Sequence, residues 1–124
     1  MFSINSKDKA AALEITDQNF QELVLDQDDG VYIDFWAPWC GPCKVMGPIV
    51  DELAGQFKDE PVVIGKVNVD QNPGLSEAFG IRSIPTSAFI KRKILIERIP
   101  GLIPKPNLEE MINDLIKFEF DEEE

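Results

Sequence analysis

The chain has 124 residues, of which 44% are hydrophobic, so it fits one globular domain built around one core. Its 23 acidic side chains outnumber its 12 basic ones, and the net charge of −11 argues against nucleic acid or an anionic membrane surface as a partner. Histidine is absent, which excludes Ser-His and Cys-His nucleophile pairs and every His-ligated metal site.

The N-terminal segment bears on the cellular compartment that we expect for the protein. The opening segment, MFSINSKDKAAALEI, contains no long apolar stretch typical of an export signal, and no apolar run approaches the ~20 residues of a membrane span. We therefore expect a cytoplasmic protein. In that compartment a close pair of cysteines is more often redox-active or metal-binding than structural.

The first half of the chain alternates strands with helices. A short strand at 12–15 precedes a helix that Thr16 caps and that extends to about Asp26. The run VYIDFW, at 31–36, is apolar nearly throughout, which is typical of a strand buried on both faces. From Pro42 to Phe57 apolar residues recur at intervals of three and four, which predicts a helix.

The second half continues the alternation. A strand at 61–69 is followed by a short helix at 75–80 that ends on Gly80, and strands at 87–91 and 94–99 are close enough to form a hairpin. A final helix is predicted with Asn107 as N-cap and Glu110 three residues on. The order predicts an α/β fold with a mixed central sheet of about five strands and helices on both faces. We expect one domain at 1–118 and a solvated acidic tail at 119–124.

Both cysteines lie in the segment FWAPWCGPCK, at 35–44, where a buried strand is followed by a helix. Pro42 suits a first helical turn, which places Cys40 at the helix N-terminus, where the dipole favours a thiolate. Cys43 follows one turn later on the same side, so the two sulfurs can form or open a disulfide with little backbone movement. Trp39 and Pro42 add an apolar rim for an oxidised partner.

Other uses of this pair of cysteines are weaker. Zinc needs four ligands, and two cysteines without histidine cannot supply them within one chain. A purely structural disulfide across so short a loop removes little entropy from the unfolded chain. The pattern therefore favours thiol–disulfide exchange, with no metal.

Several segments together resemble the thioredoxin family over about residues 13–115. They are DFWAPWCGPCK at 34–44, KVNVDQNP at 66–73 and GIRSIPT at 80–86, with Pro48 matching a proline inside the active-site helix. The resemblance implies the thioredoxin fold and a protein-disulfide reductase that recycles through a Cys40–Cys43 disulfide. Gly-Pro between the cysteines is similar to the reducing members of the family.

The resemblance also implies roles for single residues. Cys40 would be the exposed nucleophile and Cys43 the more buried resolving thiol. Asp34 would lie beneath Cys43 and transfer protons, and Lys66 would approach Asp34 from the neighbouring strand and tune it. The alternatives are a solvated aspartate at a strand end and a surface lysine with a buried stem.

A docking surface for substrates is implied around the cysteines. Its expected members are Trp39, Gly41, Pro42, Ile84 and Pro85, with Gly101 lining the groove. By the same resemblance, the Ile84–Pro85 bond is expected to be cis.

Two features depart from the family pattern. The hairpin at 91–93 lacks the usual glycine, so we expect a looser loop than a tight two-residue turn. Pro100, beside Gly101, removes a backbone donor at the edge of the groove and bears on substrate preference.

The expected partners are disulfide-containing proteins and a reductase dependent on NADPH and flavin. We expect the chain itself to bind no cofactor and to be a monomer. Two alternatives remain open at this point. One is a disulfide donor or isomerase of an oxidising compartment, and the other is a binding subunit that uses the fold without its thiols.

Overall fold

A five-stranded mixed sheet organises residues 11–120, the part of the chain that the computed structural model describes. The strands are β1 (Leu13–Glu14), β2 (Gly30–Trp36), β3 (Val62–Asn68), β4 (Thr86–Lys91) and β5 (Ile94–Pro100), in the spatial order β1-β3-β2-β4-β5. Strands β1 and β2 run parallel to β3, whereas β4 runs antiparallel to β2 and β5. The helices are α1 (Gly41–Gln56), α2 (Pro73–Ala78) and α3 (Lys105–Lys117), preceded by a π-helical segment (Gln21–Leu25). The predicted fold class is confirmed.

Two apolar layers cover the two faces of the sheet because neighbouring strand residues point to opposite sides. On one face, Tyr32 and Phe89 pack with buried residues of α1 and α3. On the other, Ile33 and Phe35 pack with Val24 of the π-helical segment and with residues of α2. Strand β2 is thus buried on both faces, as its apolar run predicts. No helix within residues 11–120 is long and apolar enough to cross a membrane.

The first helix is correct in position but differs in hydrogen bonding. The Oγ1 atom of Thr16 accepts a hydrogen bond from the backbone of Asn19 at 3.1 Å, but this bond closes a turn ahead of the helix, and Phe20 holds the N-cap position. The predicted cap at Thr16 is therefore wrong. The backbone N–H of Asp26 then donates to the carbonyl of Gln21 at 2.8 Å, five residues back. This spacing makes the segment π-helical.

The predicted start of the last helix is wrong. Helix α3 begins at Lys105, and Pro104 occupies the N-cap position in place of Asn107. Pro106 lies in the first turn, where its missing N–H costs nothing and its fixed φ suits the helix. Helix α3 therefore begins beside Pro106 although no side chain caps its N-terminus. At the end of α2, by contrast, Gly80 has the positive φ of +63° that its predicted capping role requires.

The looser hairpin loop is also a wrong prediction. Lys91 pairs with Ile94, so only Arg92 and Lys93 connect β4 to β5. Both have positive φ, 52° and 69°, as a tight type I′ turn requires. Left-handed backbone costs a residue with a side chain roughly 1–2 kcal/mol, which the pairing of two strands offsets.

The C-terminal tail is described only as far as Phe120; residues 121–124 lie outside the described part. Helix α3 ends at Lys117, which agrees with the expected domain boundary at 118 without testing it. The ring of Phe120 meets that of Phe118 edge-on at 4.9 Å, and the guanidinium of Arg92 lies 6.0 Å from the Phe120 ring. No local pattern in the sequence predicts these contacts.

Deleting residues 119–124 should change stability little and disulfide reduction not at all. The deletion removes one aromatic pair and one cation–π contact at the surface, each contributing about 0.5 kcal/mol. Thermal melting should therefore fall by a few degrees at most, and Phe120→Ala should reproduce that change. Deletion of 121–124 alone is the matched control. A large loss of stability, or of turnover with a reductase, would show that the tail packs or docks.

Candidate active site

The two cysteines form a disulfide at the N-terminus of α1. Cys40 is the N-cap residue, with φ −90° and ψ 115°, and Pro42 lies in the first turn, as predicted. The backbone N–H of Cys43 points at Cys40 Sγ at 3.2 Å, and the Cα atoms of the two cysteines are 5.3 Å apart. An N–H group aimed at the sulfur is what a thiolate at this position needs when the disulfide is reduced.

Solvent exposure does not separate the two cysteines in this oxidised state. Cys40 is 5% exposed and Cys43 is 3% exposed, so the expected contrast between an exposed and a buried thiol is small. Their surroundings differ more. Gly41 and Pro42, beside Cys40, are exposed, whereas Cys43 lines a cavity that also contains Asp34. A target disulfide can therefore approach from the side of Cys40.

Of the expected docking residues, Ile84 lies beside Cys40 and Gly101 lies beside Pro85. The Ile84–Pro85 bond is cis, as predicted, and the Ile84 carbonyl oxygen lies 3.7 Å from Cys40 Sγ. The backbone N–H of Gly101 donates to the carbonyl of Pro85 at 2.8 Å, and its φ of +97° suits glycine. Pro100 ends β5 opposite Thr86 and precedes Gly101 in the chain.

Trp39 is the largest exposed apolar side chain beside the cysteines. It is 68% exposed, and its indole N–H donates to Asp70 Oδ2 at 2.9 Å. The hydrogen bond orients the ring while leaving its apolar surface in contact with water. Such a ring offers a partner a large apolar area at a small cost in side-chain entropy.

Asp34 is fully buried on the face of the sheet that α1 covers. It is 0% exposed, and neither carboxyl oxygen has a hydrogen-bond partner in the described part of the chain. Burial raises the pKa of Asp34 from 3.8 to about 7, Lys66 lowers it and Asp51 raises it further. The alternative of a solvated strand-end residue is therefore wrong. A carboxyl group that titrates near neutral pH is suited to accept and return a proton.

A cavity of about 790 Å³ joins Asp34 to Cys43. Lys66 also lines it, but its ammonium forms an ion pair with Asp51, at 3.2 Å from Oδ1. Sequence reasoning did not single out Asp51, although a signal was present. Cys43, Gly47 and Asp51 are spaced four residues apart along α1 and so share one face of the helix.

A buried hydrogen bond between two side chains lies near Asp34, and the sequence did not predict it. The hydroxyl groups of Tyr32 and Ser87 are 2.8 Å apart, and both residues are 0% exposed. Ser87 stands opposite Asp34 in the antiparallel pairing of β2 and β4. Burial and the nearby Asp34 raise the pKa of Tyr32, so this phenol stays neutral.

Comparison with known proteins gives consistent matches. A sequence model of the family described as "Thioredoxin" matches residues 11–114. The chain is 43% identical over 103 residues to the thioredoxin of Chlorobaculum thiosulfatiphilum, covering 83% of this chain and 94% of that protein. It is 44% identical over 103 residues to thioredoxin 1 of Nostoc sp., covering 83% and 95%, respectively. In three dimensions it resembles the N21Q mutant thioredoxin from Halobacterium salinarum NRC-1, with a TM-score of 0.78, 28% identity and coverage of 95% of this chain and 100% of that one.

Proposed function

The chain belongs to the thioredoxin family, and on that premise we propose which of its residues carries each step of its reaction. It is a protein-disulfide oxidoreductase that works by thiol–disulfide exchange. The observation that carries the assignment of steps is the bridged Cys40–Cys43 pair at the N-terminus of α1, with the Ile84 carbonyl on one side and Asp34 on the other.

In the first step, Cys40 attacks the target. The Cys40 thiolate forms a bond to one sulfur of the target disulfide, the target S–S bond breaks, and the departing target sulfur takes up a proton. The product is a mixed disulfide between Cys40 and the target sulfur that it attacked. Support comes from the position of Cys40 at the helix N-terminus, where the N–H of Cys43 stabilises negative charge on Cys40 Sγ.

In the second step, Cys43 releases the target. The Cys43 thiol gives its proton to Asp34, and its sulfur then attacks Cys40 Sγ. The Cys40–target bond breaks, the second target sulfur leaves as a thiolate that takes up the proton held by Asp34, and the Cys40–Cys43 disulfide forms. Two electrons have passed from this chain to the target. The shared cavity and the pKa of about 7 for Asp34 support this role.

Substrate docking is assigned to the surface around Cys40, which comprises Trp39, Gly41, Pro42, Ile84, Pro85 and Gly101. An extended target segment would lie along the backbone at 84–85, where the Ile84 carbonyl oxygen accepts from it, with Trp39 against its apolar side chains. The exposure of Trp39 and the 3.7 Å separation of Ile84 O from Cys40 Sγ support this placement.

The remaining assignments concern partners and location. We propose that a thioredoxin reductase dependent on NADPH and flavin reduces the Cys40–Cys43 disulfide after each cycle. The chain would act as a monomer in the cytoplasm, and no resident cofactor is needed because the electrons arrive through the disulfide. Sedimentation at micromolar concentration tests the monomer, and NADPH oxidation coupled to a purified reductase tests the electron donor.

Reduction of insulin disulfides by the purified chain, with dithiothreitol as electron source, tests the function. We expect turbidity from the released insulin B chain to appear well before it does with dithiothreitol alone. A binding subunit that does not use its thiols would give no acceleration. A disulfide donor would instead have a reduction potential near −120 mV, whereas a reductase is expected at roughly −270 mV, so equilibration with glutathione separates the two.

A further inference from the structure

The ammonium group of Lys66 is held against helix α1. Its Nζ atom lies 3.2 Å from Oδ1 and 3.3 Å from Oδ2 of Asp51, so both carboxylate oxygens take part. Asp51 is itself fixed, because its Oδ1 accepts the backbone N–H of Ala12 at 3.0 Å. A Cβ atom placed on Gly47, one turn earlier in α1, would lie 3.5 Å from Lys66 Nζ. A Cβ atom would thus be in ordinary van der Waals contact with the ammonium, which shows that the ammonium lies directly beside the helix.

Lys66 also stands beside Asp34 in the register of the sheet. The two residues are paired across the parallel strands β2 and β3, and both line the cavity that reaches Cys43. Asp34 nevertheless has no hydrogen-bond partner among residues 11–120, and the ion pair of Lys66 is with Asp51. The flexible stem of lysine allows the ammonium to turn to either carboxylate. Two carboxylates therefore compete for one cation.

We propose that Asp51 is a positioning residue, which holds the Lys66 ammonium on the α1 side of the cavity and thereby withholds it from the Asp34 carboxyl group. The consequence for the reaction rests on the proposed role of Asp34 as proton acceptor for Cys43. An Asp34 paired with Lys66 would stay charged at neutral pH and would bind the proton of Cys43 weakly. An Asp34 left without that partner can take the proton up.

Other charged and titratable groups lie near Asp34, and they do not appear among the causes of its pKa shift apart from Lys66 and Asp51. Lys44 and Glu52 line the same cavity from α1, and Glu52 forms its own ion pair with Lys105 at 3.3 Å. From β2 comes Tyr32, whose hydroxyl is bonded to that of Ser87 on β4. The pKa of Asp34 responds to burial first, then to Lys66 and Asp51. The competition therefore involves these three side chains.

The test is a titration of Asp34 by carboxyl ¹³C NMR in the oxidised full-length chain. In Asp51→Asn the freed ammonium should turn to Asp34 and lower its pKa by about one unit, a tenfold weaker hold on the proton. Glu52→Gln is the matched control, because it removes the next carboxylate of the same helix and should leave Asp34 nearly unchanged. The double variant Asp51→Asn/Lys66→Met, measured against Lys66→Met, isolates the part that depends on the lysine. When Lys66 is replaced by methionine, Asp51→Asn should lower the pKa of Asp34 by half as much or less.

Three results would overturn the proposal. The first is an unchanged titration in Asp51→Asn, and the second is an equal shift in Glu52→Gln. The third is an equal shift with and without Lys66, which would make Asp51 a simple repulsive charge. A different pair of results would show that Asp34 is not the proton acceptor for Cys43. In that case the pKa of Asp34 would fall in Asp51→Asn as expected, but the pH dependence of mixed-disulfide release would be the same as in the unsubstituted chain.

Discussion

Replacing Cys40 with serine should reduce protein-disulfide reduction to the background rate, whereas replacing Cys43 with serine should stop the reaction at a trapped intermediate. Cys40→Ser removes the only thiol placed beside Ile84 at the helix N-terminus. Cys43→Ser leaves the first attack possible but removes the group that breaks the mixed disulfide. Insulin turbidity measures the loss of turnover in both variants, and intact-mass spectrometry detects the covalent adduct expected only for Cys43→Ser.

Alkylation of the reduced, unsubstituted chain provides the complementary measurement. At neutral pH iodoacetamide should modify Cys40 much faster than Cys43, because the thiolate is the reactive form and the helix N-terminus stabilises it at Cys40. Equal alkylation rates would contradict this argument. A stable adduct in Cys40→Ser would show that the two roles are reversed. Capture of mixed disulfides with Cys43→Ser then identifies the physiological targets directly.

Asp34→Asn should raise the melting temperature at pH 7 to 8 and have little effect at pH 4. Burial raises the pKa of Asp34 from 3.8 to about 7, so the folded protein favours the protonated acid. The stabilisation that this acid provides is complete below pH 4 and is lost as the pH rises through about 7. Above that pH the fold carries a buried, unpartnered carboxylate at a cost of at most about 4 kcal/mol, which the neutral amide removes.

The same substitution should slow the second chemical step. Without a carboxylate to take the proton of Cys43, release of the mixed disulfide should fall by about 100-fold, while the first attack by Cys40 changes much less. Stopped-flow measurement of the two steps with a fluorescent disulfide substrate separates them, and the first step serves as the internal control. A variant that is less stable at pH 7 and releases its target at the normal rate would remove Asp34 from the mechanism.

Local sequence patterns were sufficient to predict most strands and helices and to identify the redox pair. The strands follow from short apolar runs, and α1 follows from apolar residues at helical intervals after Pro42. Cys40 and Cys43 lie within one helical turn of each other, so their proximity depends only on local geometry. The cis bond before Pro85 was correctly expected, but from family resemblance, because few X-Pro bonds are cis and no local signal distinguishes this one.

Two features were predicted wrongly, for different physical reasons. The tight turn at Arg92 and Lys93 is set by strand pairing, which overrides the preference of these residues against positive φ. The start of α3 was decided by Pro106 in its first turn and not by the capping preference of Asn107. The turn thus depends on contacts across the sheet, whereas the helix start is a competition between two local signals.

The fold class, the redox pair and the place of Asp34 as a polar residue in an apolar strand could all be inferred from the amino-acid sequence. The burial of the Asp34 carboxyl group and its lack of a partner, by contrast, follow from the packing of the folded chain. Helix α1 covers the carboxyl group and leaves it without a hydrogen bond, and Asp51, 15 residues before Lys66 in the chain, holds the cation that the adjacent strand presents. Desolvation and ion pairing depend on three-dimensional distance, and residues so far apart in the chain come within range only when the sheet and helix pack together.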